Sequence, residues 1–358
     1  MTWLLWMCAA GLLAGFWLMN RVPVCPVAKD DVETPPVSVI VPARNEERNL
    51  PRLLNSLREV EAGPTEVLVV DDDSSDRTAE IAAEHGARVV QPGRLAEGWK
   101  GKSWACSQGA KAAEGKAFLF LDADTWFEPG GYARLMTLFA KEDPNRAVVS
   151  LLPYHRVERV YEQLSVYFNL LMAMGAGGFG LKEKPRLFGQ SLLLLRDAYQ
   201  KSGGHAAVRE EILENFKLAA AVERAGLQCC CRSGRGVLAM RMFPDGFVKL
   251  YEGWTKGLVQ GAAGSSRMVR GLSVVWLGSM ALAFAWLFYH PGCQWMWVVA
   301  VYAAFALQMV LFSRQVGSYS VLTSVLYPVP LTFYFGLFGL AFAKKVLGKK
   351  SMWRGREL

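Results

Sequence analysis

An α/β fold, with a doubly wound and mostly parallel sheet set between apolar segments that cross a membrane, follows from three features of this 358-residue sequence. Short apolar runs alternate with amphipathic stretches from Val37 to about Asp124, the pattern of strands and helices in βαβ units. One of those runs, Phe118-Leu119-Phe120-Leu121, reads as a buried parallel strand and ends abruptly in Asp122 and Asp124. Uncharged runs at residues 3–19 and 271–313 are too long for a soluble core, and 52% of the chain is hydrophobic.

The first uncharged run would span roughly 25 Å as a helix at about 1.5 Å per residue, short but sufficient for an anchor. A removable signal peptide is disfavoured, because no basic segment precedes the run and no clear cleavage site follows it. Residues 1–20 are therefore expected to form an N-terminal transmembrane anchor and 21–36 a polar, proline-bearing linker. A polar domain should follow over 37–265, a membrane region over 266–343, and a basic tail over 344–358.

Within the polar domain, Val37-Ser38-Val39-Ile40-Val41 predicts a first strand, with Pro42-Ala43-Arg44-Asn45-Glu46-Glu47 as its exit loop. A dinucleotide-binding fold would place G-x-G-x-x-G here; its absence argues against hydride transfer. The second strand, Glu66-Val67-Leu68-Val69-Val70, ends in Asp71, Asp72 and Asp73. Three adjacent carboxylates repel one another unless something shares them, and a nucleobase N–H or a ribose hydroxyl is a natural recipient; a solvated acidic turn is the alternative. Gly98-Trp99-Lys100-Gly101-Lys102-Ser103 then sets Lys102 at the start of a helix, where a cation and free backbone amides together suit a diphosphate. Asp122 and Asp124 lie where open α/β sheets bind ligands, and such a pair can hold Mg²⁺ or Mn²⁺ with positions left for phosphate oxygens. An Asp cap on the next helix is the bland reading of the same pair.

Beyond this point the pattern changes. Residues 157–174 predict a long apolar helix, in the core or at a membrane interface. Residues 188–196 predict a strand, Gly203-Gly204-His205 a loop that lets an acceptor approach closely, and 212–226 a helix carrying Glu214 and Asn215. An amphipathic run with Glu252, Trp254 and Lys256 leads into the membrane region.

Residues 271–313 read as two spans and a tight turn, and 315–343 as a third uncharged run with Tyr327-Pro328-Val329-Pro330 at its middle. Of the net charge of +8, the last 15 residues hold +5, from Lys344, Lys345, Lys349, Lys350, Arg354 and Arg356 against Glu357. Such a tail belongs in the cytoplasm, as does a domain followed by Arg267 and Arg270. Two spans then return the chain inside at Arg314, and the last run must be a re-entrant hairpin if the tail is inside, or a proline-broken span if not. The cations sit beside apolar segments and not on a soluble module, so anionic lipids, and no nucleic acid, are the expected partners. Seven Cys without a C-x₂-C pair and four His give neither a zinc site nor a disulfide framework.

In order and spacing, V-I-V-P-A-R-N-E, V-V-D-D-D-S-S-D, G-K-S-W-A, L-D-A-D and G-G-H followed by L-E-N-F-K-L-A resemble the family-two inverting glycosyltransferases of GT-A fold. That resemblance implies a UDP-sugar donor. Pro42, Ala43 and Glu46 would line the nucleoside, Asp71 would face the uracil, Asp72 would belong to the same nucleotide-sugar site, and Lys102 would lie by the diphosphate. Asp122 and Asp124 would hold ribose and metal. Glu214 and Asn215 occupy the family's E-D motif, whose Asp serves as general base; Asn215 cannot take that proton. P-Y-H-R from Pro153, R-M-F-P-D-G-F from Arg241, E-G-W-T-K from Glu252 and W-R-G-R near the end resemble the bacterial carotenoid-acid glycosyltransferases of the diaponeurosporenoate type. Those enzymes transfer glucose to the carboxyl of a long apolar acid, which would make this a multi-pass membrane enzyme facing the cytoplasm, with Gly203, Gly204, His205, Trp254 and Lys256 near the acceptor. Sugar transfer to a polyprenyl phosphate or lipid hydroxyl, or sugar-nucleotide binding without turnover, are the alternatives. A reporter after Leu358 and a label at Lys29 should both read as cytoplasmic; an external tail would make the last run a full span.

Overall fold

The computed structural model describes residues 2–29, 32–60, 63–176, 179–180, 186–210, 214–289, 292, 295–346, 352–353 and 356–357; the side chains of 214–216, of 256–264 and of every residue from 344 on lie outside that description. The chain forms two compact units. One comprises Pro23–His155 and Lys184–Arg241, the other Met1–Val22, Arg156–Glu183 and Met242–Leu358.

The first unit is built on strands β1 (Val37–Ala43), β2 (Glu66–Asp71), β3 (Arg88–Val90), β4 (Ala117–Leu121), β5 (Thr125–Phe127), β6 (Ala147–Leu152), β7 (Tyr154–His155), β8 (Ser191–Leu195), β9 (Gln228–Ser233) and β10 (Leu238–Met240). Seven make one sheet in the order β3-β2-β1-β4-β8-β6-β9. The pairs among β3, β2, β1 and β4 are parallel, β8 runs antiparallel between β4 and β6, and β6 and β9 are parallel again. Both faces are covered. Val39, Leu119, Leu193 and Val149 feed one core, while Ile40, Phe118, Phe120 and Leu192 feed the other, which is why these strands read as unbroken apolar runs. A small second sheet, β5-β10-β7, was not legible as such, since its strands are two or three residues long.

The helix Gly101–Ala112 lies directly on β1 and β2. A Cβ at Gly109 would come within 2.5 Å of Ile40 Cγ2 and 2.8 Å of Val70 Cγ2, so only glycine permits this approach. The segment expected as a free linker is docked in part: Arg134 donates to the carbonyls of Cys25 (2.8 Å), Pro26 (2.9 Å) and Gly236 (3.0 Å), and Val24 bridges to Ser233.

In the second unit three helices among the described residues, Thr2–Met19, Arg267–Trp286 and Trp295–Val316, are long and apolar enough to cross a membrane. Their contacts use small residues and few, specific polar bonds. Gly15 faces the Trp276 ring, Ser279 donates to Met7 O (2.9 Å), and Gln308 accepts from Trp276 Nε1 (2.9 Å) while donating to Leu12 O (2.8 Å). The apolar helix expected over 157–174 is divided into a 3₁₀ turn, Val160–Ser165, and an α-helix, Val166–Gly175. Glu162 caps that start, its carboxylate folding back to accept from the backbone N–H of Glu158 (2.7 Å) and Arg159 (3.1 Å). The run from 315 is broken where Tyr327-Pro328-Val329-Pro330 predicted: a short helix, Val321–Val325, ends just before it, and Pro328 and Pro330 fall in the first turn of the next helix, Pro328–Val346, where a missing N–H costs nothing. After Val316 the chain turns back along the preceding helix, with Ser324 Oγ 3.1 Å from Ser313 Oγ and Tyr302 donating to Val325 O at 2.7 Å.

Gly109→Val should destabilise the unit built on the seven-stranded sheet by about 1–3 kcal/mol through overpacking against Ile40 and Val70. A thermal unfolding midpoint within about 1 °C of wild type, measured on the full chain in detergent, would refute this tight helix–sheet contact.

Candidate active site

The site is built at the carboxyl ends of β1, β2 and β4. Leaving β4, the chain makes a tight turn in which Asp122 O accepts from Thr125 N (3.1 Å) and Thr125 Oγ1 (2.7 Å). Asp122 N donates to Gln190 O at 3.2 Å, so this end of the strand is held by the residues leading into β8. Asp122 Oδ1 lies 2.7 Å from Lys102 Nζ, and Lys102 also donates to Gly189 O at 3.1 Å. Lys102 is the second residue of the helix Gly101–Ala112, so the cation that meets Asp122 comes from the helix's N-terminal turn, the end whose dipole favours an anion.

Asp124 is in a different condition. Although the residue keeps some exposure, its Oδ1 is sealed from solvent and has no hydrogen-bond partner among the described residues. Burial, reinforced by repulsion from Asp122 and Glu46 and opposed by Lys102, pushes its carboxyl up to about 8. It does not cap a helix, since the next helix, Gly131–Lys141, starts from Gly130. An orphaned carboxylate oxygen beside a second carboxylate suits a hard divalent cation. Among the described residues no group of three or more His, Cys, Asp or Glu makes a complete metal cage. Asp122 and Asp124 would hold one side of Mg²⁺ or Mn²⁺, which leaves the other side for water and phosphate oxygens.

The loops after β1 and β2 are latched together. Asn45 N donates to Ser74 Oγ (3.0 Å), Ser75 N to Asn45 Oδ1 (2.8 Å), Glu46 N to Thr78 Oγ1 (2.8 Å) and Glu47 N to Asp76 Oδ2 (3.1 Å). Both loops contain a non-glycine residue at positive φ, Asn45 at 55° and Asp73 at 61°, types that tolerate this region because their short polar groups bond locally. The repulsion expected within Asp71-Asp72-Asp73 is relieved by separate partners. Asp71, buried, accepts from Ser74 N and Gln91 Nε2, each at 3.1 Å. Asp72 takes Arg44, whose Nη1 lies 3.1 Å from the backbone O and 3.7 Å from Oδ2. Glu46 Oε2 accepts from Asn49 Nδ2 at 2.8 Å, and Ala43 pairs in register with Asp71. Arg44, Asn45 and Gln91 as partners were missed by sequence reasoning; the R-N-E turn was the one available signal.

A pocket opens beside these loops, lined by Pro42, Lys102, Phe120, Asp122, Gly189 and His205 among others. Gly203 sits at φ 77° and Gly204 at φ 49°, and a side chain on Gly204 would fall on the Tyr199 ring. His205 is buried, with its ring 4.7 Å from that of Phe120. Burial, aided by Lys102, drives its imidazole down to about 3, so it is neutral at pH 7. Glu214 and Asn215 begin the helix Glu214–Arg224, whose Leu218 lines the pocket; their side chains lie outside the described residues. Trp254 belongs to the other unit, where its indole stacks on Phe168 at 4.5 Å and donates to Ser165 Oγ at 2.9 Å, which commits it to packing. The Lys256 side chain also lies outside the description.

Residues 38–216 match the family model described as Glycosyl transferase family 2. The chain is 32% identical over 329 residues to the 4,4'-diaponeurosporenoate glycosyltransferase of Staphylococcus aureus (strain USA300), covering 90% of this chain and 88% of that protein. It is 34% identical over 282 residues to the protein of the same name from Staphylococcus haemolyticus (strain JCSC1435), covering 76% of this chain and 75% of that one. Among solved structures, the mannosyltransferase PcManGT from Pyrobaculum calidifontis, in complex with GDP-Man and Mn²⁺, aligns with a TM-score of 0.55 at 19% identity over 91% of this chain and 94% of that chain. The likeness identifies the GT-A fold.

The state of Asp124 would make metal binding there a proton-releasing event. With its carboxyl near 8, Mn²⁺ titrated into the metal-free protein at pH 7 should displace about one proton, and apparent affinity should rise up to tenfold per pH unit below about 8, then level off. The stability sign is the opposite of a salt-bridged Asp: folding favours the protonated form, so the metal-free protein should lose stability as pH rises from about 4 to about 8, and Asp124→Asn should remove that loss. Calorimetry in buffers of different ionisation enthalpy reads the proton; Mn²⁺ affinity unchanged between pH 6 and 9 would contradict the assignment.

Proposed function

The chain belongs to glycosyl transferase family 2, and from that premise we propose that it transfers glucose, with inversion, from UDP-glucose to the terminal carboxyl of a long carotenoid-type acid held in the membrane. The observation that carries the donor half is the Lys102–Asp122 ion pair beside the sealed oxygen of Asp124. A diphosphate gives Lys102 a better partner and frees Asp122 for the ribose hydroxyls, while Pro42, Ala43 and Glu46 border the nucleoside and Asp71, with Asp72 beside it, faces the uracil. Bound at Asp124 and Asp122, Mg²⁺ or Mn²⁺ supplies positive charge against the departing diphosphate. Lys102 and the first amides of its helix stabilise the same developing charge, an effect commonly worth several kcal/mol.

The acceptor half rests on the names of the two staphylococcal relatives and on Asn215. A hydroxyl acceptor must lose its proton as the new bond forms and needs a base, worth about 10²- to 10⁴-fold. A carboxylic acid with a pKa near about 4–5 is already ionised at neutral pH. One carboxylate oxygen attacks the anomeric carbon, the bond from that carbon to the phosphate oxygen breaks, and UDP departs with the electron pair. No proton moves, so an amide at position 215 is no handicap.

The same reading places the soluble unit and the basic tail at the cytoplasmic face, where anionic head groups attract Lys and Arg. The run 315–343 is then a re-entrant hairpin, in keeping with a chain that folds back from Ser320 to Tyr327, whose ring packs 4.9 Å from Tyr302, before the helix Pro328–Val346 begins.

Purified protein in vesicles, given UDP-glucose and a carotenoid acid, should form a glucosyl ester that mild alkali cleaves to free acid. Glu214→Gln should retain most of the activity, and Asn215→Asp should leave it unchanged or lower it by repelling the acceptor's charge. An alkali-stable product, preference for the alcohol analogue, or a tenfold gain in Asn215→Asp would overturn the carboxylate reading in favour of a hydroxyl acceptor.

A further inference from the structure

His205 lines the same pocket as Lys102 and Asp122, and the hydrogen bonds around it fix more than its position. Its backbone N–H donates to Tyr199 Oη at 3.1 Å, and its ring Nδ1 lies 3.1 Å from the same oxygen. A phenol has one hydrogen to give. If Nδ1 carried the ring proton, Tyr199 Oη would receive two N–H groups and its own hydrogen would be left in a buried place with no acceptor among the described residues, at the cost of an unmade hydrogen bond. The arrangement that satisfies every group has the Tyr199 hydroxyl donating to Nδ1. In a neutral imidazole the proton is then on Nε2, the nitrogen not engaged by Tyr199, on a residue that lines the pocket with Lys102 and Asp122.

The surroundings hold this arrangement in place. Tyr199 stacks on Phe120 at 5.4 Å and meets Phe118 edge-on at 5.5 Å. Gly204 lies against the Tyr199 ring so closely that any side chain there would displace it, and Gly203 provides the left-handed turn that brings His205 back over Phe120. The two glycines of G-G-H therefore serve the hydrogen bond between Tyr199 and His205. A ring that stays neutral with its acceptor nitrogen already occupied can offer only an N–H.

We propose that His205 is a fixed Nε2–H hydrogen-bond donor to the acceptor's carboxylate, with Tyr199 as the positioning residue that sets its tautomer, and that it neither takes nor gives a proton in the transfer. The assignment rests on the carboxylate reading above for the identity of the partner oxygen. It gives the site a reason to prefer an acid over an alcohol: a carboxylate has a free lone pair for the donor while its other oxygen attacks, whereas a lone hydroxyl must use the attacking oxygen itself.

The test is ¹⁵N spectroscopy of the full chain labelled at its four histidines, in detergent, with His205 assigned by its loss in His205→Asn. At pH 7 the ring should be neutral with Nε2 protonated, Tyr199→Phe should mix the tautomers while keeping the aromatic packing, and a carotenoid acid should shift the Nε2–H resonance downfield. In kinetics, His205→Phe should raise the KM for the acid by about 10- to 100-fold, the span expected for losing a hydrogen bond to a charged group, with the KM for UDP-glucose within about twofold of wild type. His205→Gln, which keeps an N–H donor, should recover much of that loss. A ring protonated at Nδ1, an imidazolium at pH 7, or a KM rise confined to UDP-glucose would overturn the proposal. An Nε2–H ring in an enzyme that prefers the alcohol would instead sink the carboxylate reading and this choice of partner oxygen together, whereas an Nδ1–H ring in an acid-specific enzyme would sink the role of His205 alone.

Discussion

Two carboxylates at the end of one buried strand, with a third acidic residue close by, create an electrostatic debt that the protein alone does not settle. Asp122 is answered by Lys102 at 2.7 Å; Asp124 is left with a sealed oxygen, and its burial and the neighbouring charges of Asp122 and Glu46 hold its carboxyl near 8. Residue by residue this is destabilising, and a fold selected for stability alone would replace Asp124 with an amide. A charged site that is uncomfortable when empty gains the most when a cation and a diphosphate enter it, which is the preorganisation that a transferase of phosphate-activated sugars needs.

The parallel half of the sheet explains why these groups meet. Strands β1, β2 and β4 run the same way, so their carboxyl ends share one edge, and each exit loop carries polar residues that the apolar strand could not hold. The loops are not left to find their shape in water. Asn45, Ser74, Ser75, Asp76 and Thr78 join the first two loops by short bonds that ask for positive φ at Asn45 and Asp73, a local cost accepted so that Asp71 and Arg44 keep fixed orientations. The helix bearing Lys102 reaches the same edge because Gly109 lets it lie on Ile40 and Val70.

What the sequence disclosed and what it withheld divide along range. The strands from Val37, Glu66 and Phe118 were legible because burial on both faces leaves an unbroken apolar run, and the acidic ends of two of them were legible because nothing else there explains clustered charge. Membrane-length helices were legible from the lack of charge alone. The strand predicted over 188–196 was found as β8, but its antiparallel direction was invisible, since periodicity is the same whichever way a strand runs. The Lys102–Asp122 pair joins residues 20 apart in sequence, Arg134 reaches back over 108 residues to Pro26, and no local pattern records such partners. Trp254 was expected to face the acceptor on the strength of resemblance; its indole is stacked on Phe168, because an aromatic beside apolar helices is most often wanted for packing. Tyr327-Pro328-Val329-Pro330 was legible as a break, since proline is tolerated in the first turn of a helix and not in its interior, and the chain does pass there from the short helix Val321–Val325 to the new one that starts at Pro328.

The G-G-H motif shows how a short pattern acquires meaning only through a residue it does not contain. Read alone, two glycines suggest room for a ligand. In the structure the room at Gly204 is taken by the Tyr199 ring, five residues earlier, and the left-handed turn at Gly203 returns the chain so that backbone and ring of His205 both reach one phenol oxygen. Replacing Gly204 would act on His205 through Tyr199, replacing Gly203 would act through the left-handed turn, and replacing Tyr199 by phenylalanine would preserve the ring contacts while removing the one hydrogen that decides which nitrogen of the imidazole is a donor. Packing and proton placement are thus set by the same side chain. An isolated motif match cannot reveal that coupling, because the chemistry belongs to the arrangement of Tyr199, Gly204 and His205 and not to any one of them.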